Sequence, residues 1–240
     1  MKAGTTKRRL TSPQLEKSIV FAEEFDRIDW GRRWSGMGTS AYEYGDHDPR
    51  ASKLDWLTKS AISVADGKVT FTARPGQQTL PDKNQSWTTG LLTTEGTSEA
   101  FLVRSGDFIE TRVRLPEKRG AWPALWTWKD GNNEIDVFEY HPDNPDLLEL
   151  SNQVRPAGTY RRDSSAISPG RWVTVGVLFG TDSNHWYVNG MKVYSDRRGV
   201  YGNWSAYLIL NLSVSSGKWH PAPDGQESLS CAVDYLRVWR

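Results

Sequence analysis

Seven short runs in this chain alternate apolar with polar side chains: KVTFTAR (68–74), DFIETRVRL (107–115), EIDVFEY (134–140), RWVTVGVLFG (171–180), HWYVNGMKVY (185–194), AYLILNLSV (206–214) and AVDYLRVW (232–239). Successive side chains of a strand point to opposite faces, so a period of two marks half-buried strands. Asn189-Gly190 splits one run in two and suits a type I′ turn, which predicts a hairpin. Amphipathic helical periodicity is nearly absent; at most, short helices are expected near residues 52–59 and 201–204. Many short strands with turn signals between them predict an all-β sandwich. A chain of 240 residues can bury one such core as a single domain.

Composition narrows the partners. Thirty basic residues face 29 acidic ones, a net charge of +1, which argues against a nucleic-acid surface or an acidic membrane surface. No run of eighteen apolar residues is present, so no membrane-spanning helix is expected. The first eighteen residues, MKAGTTKRRLTSPQLEKS, are polar and basic, lack an apolar stretch, and read as an arm rather than a signal peptide. The single cysteine, Cys231, lies in a strand pattern and is expected to be a buried thiol. Twelve tryptophans suit a cleft lined with flat apolar faces, as sugar rings require.

The stretch NNEIDVFEYH puts Glu134, Asp136 and Glu139 into an otherwise apolar strand. Glu134 and Asp136 share a face by alternation, but Glu139 would point the other way. A β-bulge between Asp136 and Glu139 resets the phase and returns all three carboxylates to one face. Ile135 and either Val137 or Phe138 then point into the core. Two carboxylates flanking a bond are what glycoside hydrolysis needs, and a third can hold the nucleophile and separate the ionisations. The same three acids would also suit a solvated surface strand or a calcium site.

The wider chain resembles glycoside hydrolase family sixteen. EIDVFE matches that family's bulged Glu-x-Asp-x-x-Glu motif, and GAWPALWTW (120–128) resembles its Gly-x-Trp-Pro-Ala-x-Trp strand. FAEEFD, WTTGLLTT and GDFIETRVRLP precede these in the family's order; HWYVNG, LILNLSVSSGKW and VDYLRVW follow in order. The resemblance spans residues 19–240. It implies a jelly roll of two antiparallel sheets with a concave, sugar-binding groove. It also implies Glu134 as nucleophile of a retaining mechanism, Glu139 as acid/base and Asp136 as helper. Trp122, Trp126 and Trp219 match groove aromatics. Asp234 matches a position that often binds a structural calcium, with Glu24 on the strand beside it. Catalysis itself is expected to need no cofactor.

The chain also departs from that pattern. Many relatives carry a histidine on the strand after the acidic one, where this chain reads ELSNQVRP. Gln153 and Arg155 are expected to meet substrate there instead, and glutamine cannot carry a proton. His141, close behind Glu139, is expected to face away from it in a structural role and not to bind metal. The implied activity is retaining endo-hydrolysis of a β-linked polysaccharide, β-1,3- or mixed-linked glucan first and β-galactan second. A non-catalytic carbohydrate-binding module is a rival. So is a surface- or virion-attached depolymerase docked through the basic arm (Lys2, Lys7, Arg8, Arg9). A monomer, unless the arm docks, and an extracellular or surface setting complete the expectations.

Overall fold

The computed structural model describes residues 13, 14, 16–82 and 84–240. Lys2, Lys7, Arg8 and Arg9 of the expected N-terminal arm lie outside them. Two sheets stack face to face. The groove sheet has seven strands, in the order Ala157–Arg162, Leu147–Asn152, Ile135–Tyr140, Ala121–Trp128, Ser205–Val214 and Leu91–Thr93, with Val103–Arg104 also pairing on Ser205–Val214. The outer sheet has ten: Met191–Ser195, His185–Val188, Trp172–Leu178, Phe108–Arg114, Leu229–Trp239, Lys68–Thr79, Gln85–Thr89 and Asp55–Leu57, plus Ile19–Glu23 beside Leu229–Trp239 and Ile62–Ala65 beside Lys68–Thr79.

Sequence alternation becomes burial directly. Along Lys68–Thr79, Val69, Phe71 and Ala73 are fully buried while Lys68, Thr70 and Thr72 stay half-buried. One large apolar cluster fills the space between the sheets. A second, small cluster of Tyr42, Leu57, Leu91, Ala124, Trp126 and Ile209 forms on the opposite face of the groove sheet, under the loops that cover it. That is why Ser205–Val214 is buried on both faces along most of its length. Asn189 and Gly190 both have positive φ (49° and 75°), as the predicted type I′ hairpin needs. Gly90 alone joins a strand of the outer sheet to one of the groove sheet. A Cβ there would lie 2.5 Å from Cγ1 of Ile62, so only glycine lets the chain cross.

Two expectations change. No helix forms at 52–59 or 201–204. Asp55–Leu57 is a strand, with Asp55 and Leu57 buried and Trp56 half-buried, which is a period of two. Residues 201–204 close a turn through Trp204 N–H and the Tyr201 carbonyl. Helical structure among the described residues consists of two three-residue 3-10 turns, Pro49–Ala51 and Lys59–Ala61, so none is long enough to cross a membrane. The sheets are also not wholly antiparallel, because Asp55–Leu57 pairs parallel with Gln85–Thr89.

Candidate active site

The acidic strand, Ile135–Tyr140, carries the predicted bulge. Against Leu147–Asn152 its register runs Asp136 to Ser151 and then Glu139 to Glu149, three steps on one strand and two on the other. Against Ala121–Trp128 the shift falls between Asp136 and Phe138. The extra residue sends Ile135 and both Val137 and Phe138 into the inter-sheet core, each fully buried. Glu134, Asp136 and Glu139 all line one cavity of about 250 Å³, together with Trp122, Trp126, Trp128, Asp48 and Lys53.

The three acids are not equivalent. Asp136 is buried and accepts a hydrogen bond from the Ser151 hydroxyl, while its backbone carbonyl accepts one from Nε1 of Trp186 at 3.0 Å. Burial, then the charges of Glu139 and Glu134, push its carboxyl well above the usual range. Glu139 accepts from Nε1 of Trp122 at 2.9 Å. Burial first, and Glu149 second, raise it to about 7, against the pull of Lys53 and the Trp122 bond. Burial also raises Glu134, opposed by Lys53.

Lys53 was not singled out from the sequence. Its ammonium stands 4.7 Å from the ring centre of Tyr42, 5.0 Å from Trp122 and 5.3 Å from Trp126. It is therefore a cation held among aromatic faces beside three carboxylates. Behind it, fully buried Asp55 accepts from the Tyr42 hydroxyl and from Val214 N–H, both at 2.7 Å. These residues lie in or beside the irregular stretch before residue 55, where periodicity carries no signal.

Trp122 and Glu139 also border a second cavity of about 530 Å³, lined by His141, Glu149, Tyr160, Trp219 and His220 among others. The two cavities are thus halves of one groove that meet at Glu139. His141 corrects an expectation: it sits two residues past Glu139, and alternation puts i and i+2 on the same face. It is 3% exposed, and its ring lies 3.4 Å from that of His220 with 6° between the planes. Burial, then His220, lower His141 to about 3, so it stays neutral. His220 contacts Asp143 through Nδ1 (3.0 Å) and Glu149 through Nε2 (3.4 Å). The donor atoms of His141, Asp143 and His220 lie within 4.8 Å of one another. With the two rings face to face, however, their in-plane lone pairs run parallel and do not converge on one ion.

The remaining expected residues fall in several places. Trp126 lines the groove, is 7% exposed, and donates from Nε1 to Asn211 at 2.9 Å. Trp219 stands 77% exposed at the rim of the second cavity. Gln153 donates to the Ser151 hydroxyl at 3.1 Å and so connects to Asp136 rather than to Glu139. Arg155 borders neither cavity; it reaches the Thr181 carbonyl at 3.3 Å and lies over Tyr201. Asp234 and Glu24 are on the outer sheet side, but each is engaged by an arginine. Arg112 meets Asp234 at 2.6 Å, and Arg237 grips both oxygens of Glu24 at 2.7 Å. A guanidinium already supplies the charge a cation would bring, and among the described residues no cluster of three or more His, Cys, Asp or Glu side chains includes either acid. Cys231 is buried as expected, its thiol pushed up to about 12 by burial.

No family model matches the chain. Over 253 residues it is 25% identical to the endo-1,3-1,4-beta-glycanase EglC of Rhizobium meliloti (strain 1021), covering 94% of this chain and 53% of that protein. It is 26% identical over 263 residues to the beta-glucanase of Rhodothermus marinus, covering 92% and 85%. The chain thus spans about half the length of the first relative and most of the second. In fold it is similar to the endo-beta-1,3-glucanase of Pyrococcus furiosus, with a TM-score of 0.78, 21% identity, and coverage of 93% and 94%. It is also similar to SCLam, a non-specific endo-beta-1,3(4)-glucanase from family GH16, with a TM-score of 0.74, 21% identity, and coverage of 98% of each chain. The jelly-roll sandwich of these glucanase structures is therefore the fold of this chain, and its relatives support the resemblance to glycoside hydrolase family sixteen.

Proposed function

We propose that this chain is a retaining endo-hydrolase of β-1,3- or mixed-linked β-glucan, in the bulged-motif, laminarinase-like branch of the family it resembles. One observation carries the proposal: three carboxylates on a bulged strand face a single groove in environments that hold their protons unequally. The glucanase relatives support the substrate class.

In the first step Glu134, as carboxylate, attacks the anomeric carbon. Glu139 gives its proton to the glycosidic oxygen, and the leaving chain departs with that proton. A glycosyl ester on Glu134 results. In the second step Glu139, now ionised, takes a proton from water. The water oxygen bonds the anomeric carbon, Glu134 leaves as carboxylate, and the configuration is retained. Asp136, held protonated between its neighbours, can donate to Glu134 and keep it aligned. Lys53 opposes the rise that burial imposes on Glu134 and so favours the ionised nucleophile.

The charge of the groove favours a neutral polymer. Asp48, Glu134, Asp136, Glu139 and Glu149 line it, and with Asp136 and Glu139 holding their protons three carboxylates remain to face the ammonium of Lys53. A sulfated galactan or a uronic-acid chain would meet mostly like charge. A reducing-sugar assay on laminarin, lichenan, agarose, carrageenan and hyaluronan tests this. Laminarin and lichenan should be cleaved, and Glu134→Gln should abolish cleavage while leaving the fold intact. Binding of glucan without cleavage, equal in wild type and Glu134→Gln, would instead mark a binding module.

A further inference from the structure

The strand beside the acidic one brings a further carboxylate to the groove. Glu149 is the register partner of Glu139, so the two side chains project from the same face into the same cavity. Like charges directly opposite on neighbouring strands are destabilising, and one of the pair is favoured to hold a proton. Which one depends on what else each carboxylate meets.

Their surroundings differ. Glu149 lies 3.4 Å from Nε2 of His220, whose Nδ1 contacts Asp143 at 3.0 Å and whose ring is stacked on His141. His220 comes from the loop after Ser205–Val214, and Asp143 from the turn after the acidic strand. The pair of contacts and the stack fix the ring against Glu149. Glu139 meets a single indole N–H from Trp122 on its other side. Glu134 and Asp136 on its own strand add negative charge, while Lys53, with Asp48 and Asp55 behind it, is the cation on the far side of Trp122. The neighbouring imidazole of His141 is neutral.

We propose that Glu149, gripped by His220, is a positioning residue that stays ionised and thereby keeps the opposing Glu139 carboxyl in its acid form. Burial raises Glu149 as well, and His220 beside it opposes that rise; Glu149 is in turn the largest charge acting on Glu139. Coupled carboxylates titrate as a pair, so changing one partner must move the other.

This inference rests on Glu139 being the acid of the proposed reaction, but its test reads the proton itself. Glutamate labelled with carbon-13 at Cδ, assigned by loss of a resonance in Glu139→Gln, reports the Glu139 titration by NMR. In the wild type the midpoint should lie at about 7. In the isosteric Glu149→Gln it should fall by about one pH unit, the size expected of one neighbouring charge. In His220→Gln the Glu139 curve should become two-step, because the two carboxylates then share a proton with no imidazole held against Glu149. On laminarin, the alkaline limb of the kcat/KM profile in Glu149→Gln should move down with the NMR midpoint. The proposal is overturned if Glu149→Gln leaves the midpoint in place, or if His220→Gln leaves a single step at about 7. A midpoint that moves as expected in a protein that cleaves no glucan would support the Glu149–Glu139 relation and remove the glucanase reading alone.

Discussion

Protonation of Glu139 serves the proposed reaction at a cost to the fold. Its folded value, about 7, stands above the ordinary 4.5. Below pH 4.5 the group is protonated folded or unfolded, and it favours neither state. As pH rises from 4.5 through 7 the unfolded chain releases this proton more readily, so stability is lost across that window and stays lost above it. Glu139→Gln removes the titration, and the variant should be more stable than wild type at pH 8 by on the order of 3 kcal/mol. The advantage should vanish near pH 4.5, which calorimetric melting at the two pH values will show; a parallel pH dependence in both proteins would contradict the assignment. The same variant should lose about 10²- to 10⁴-fold in turnover of natural polymers. It should spare aryl glycosides with good leaving groups, which depart unprotonated, and added azide should speed their second step. The three acids were legible because strand alternation plus one bulge is a local rule. Glu149, His220 and Lys53 were not, because only long-range pairing brings them to the acids.

At the scale of one element, the bulge decides which side chains reach the groove. Removing Val137 restores simple alternation, with Glu134, Asp136 and Glu139 still on one face and Phe138 alone turned inward. Val137 is fully buried, so its loss should cost about 1.5–3 kcal/mol, and the variant should still fold. Inserting one alanine after Val137 puts Asp136 and Glu139 four residues apart, which is again an even number, so Glu139 keeps its face but four steps now stand opposite two on Leu147–Asn152. The rest of the strand must then loop out two residues or slide two places in register, so the insertion should destabilise more than the deletion. Circular dichroism melts of the two variants separate these outcomes. Equal destabilisation by deletion and insertion would mean that register is not what the bulge controls. The strand cores and the Asn189-Gly190 hairpin were legible for the same local reasons. The parallel strand Asp55–Leu57 was not, since its partner residues are thirty-two positions away and its three residues are too few to show a period.

Across the whole molecule, the groove is the place where the two apolar clusters and the covering loops meet, and its tryptophans divide by what each holds up. Trp126 sits in the smaller cluster, 7% exposed and bonded to Asn211. Trp219 stands at the rim of the Glu139–His220 half, with most of its surface in water. Trp126→Ala should therefore cost about 3–5 kcal/mol of stability, the usual range for emptying a buried aromatic site. Trp219→Ala should change stability by no more than about 0.5 kcal/mol, because its ring supports nothing beneath it. Its loss should fall on binding instead. In the proposed reaction the nucleophile lies in the Lys53 half and the proton donor at the junction, so the leaving chain runs over the His220 half toward Trp219. A lost ring-stacking contact of about 1 kcal/mol raises KM for laminarin about fivefold with kcat little changed. It should raise KM less for short oligosaccharides that do not reach the rim. Melting curves and steady-state kinetics on polymer and trimer check the two variants together. If Trp219→Ala lowered kcat and left KM alone, or if it unfolded the domain as Trp126→Ala does, the leaving chain would not lie across the His220 half of the groove.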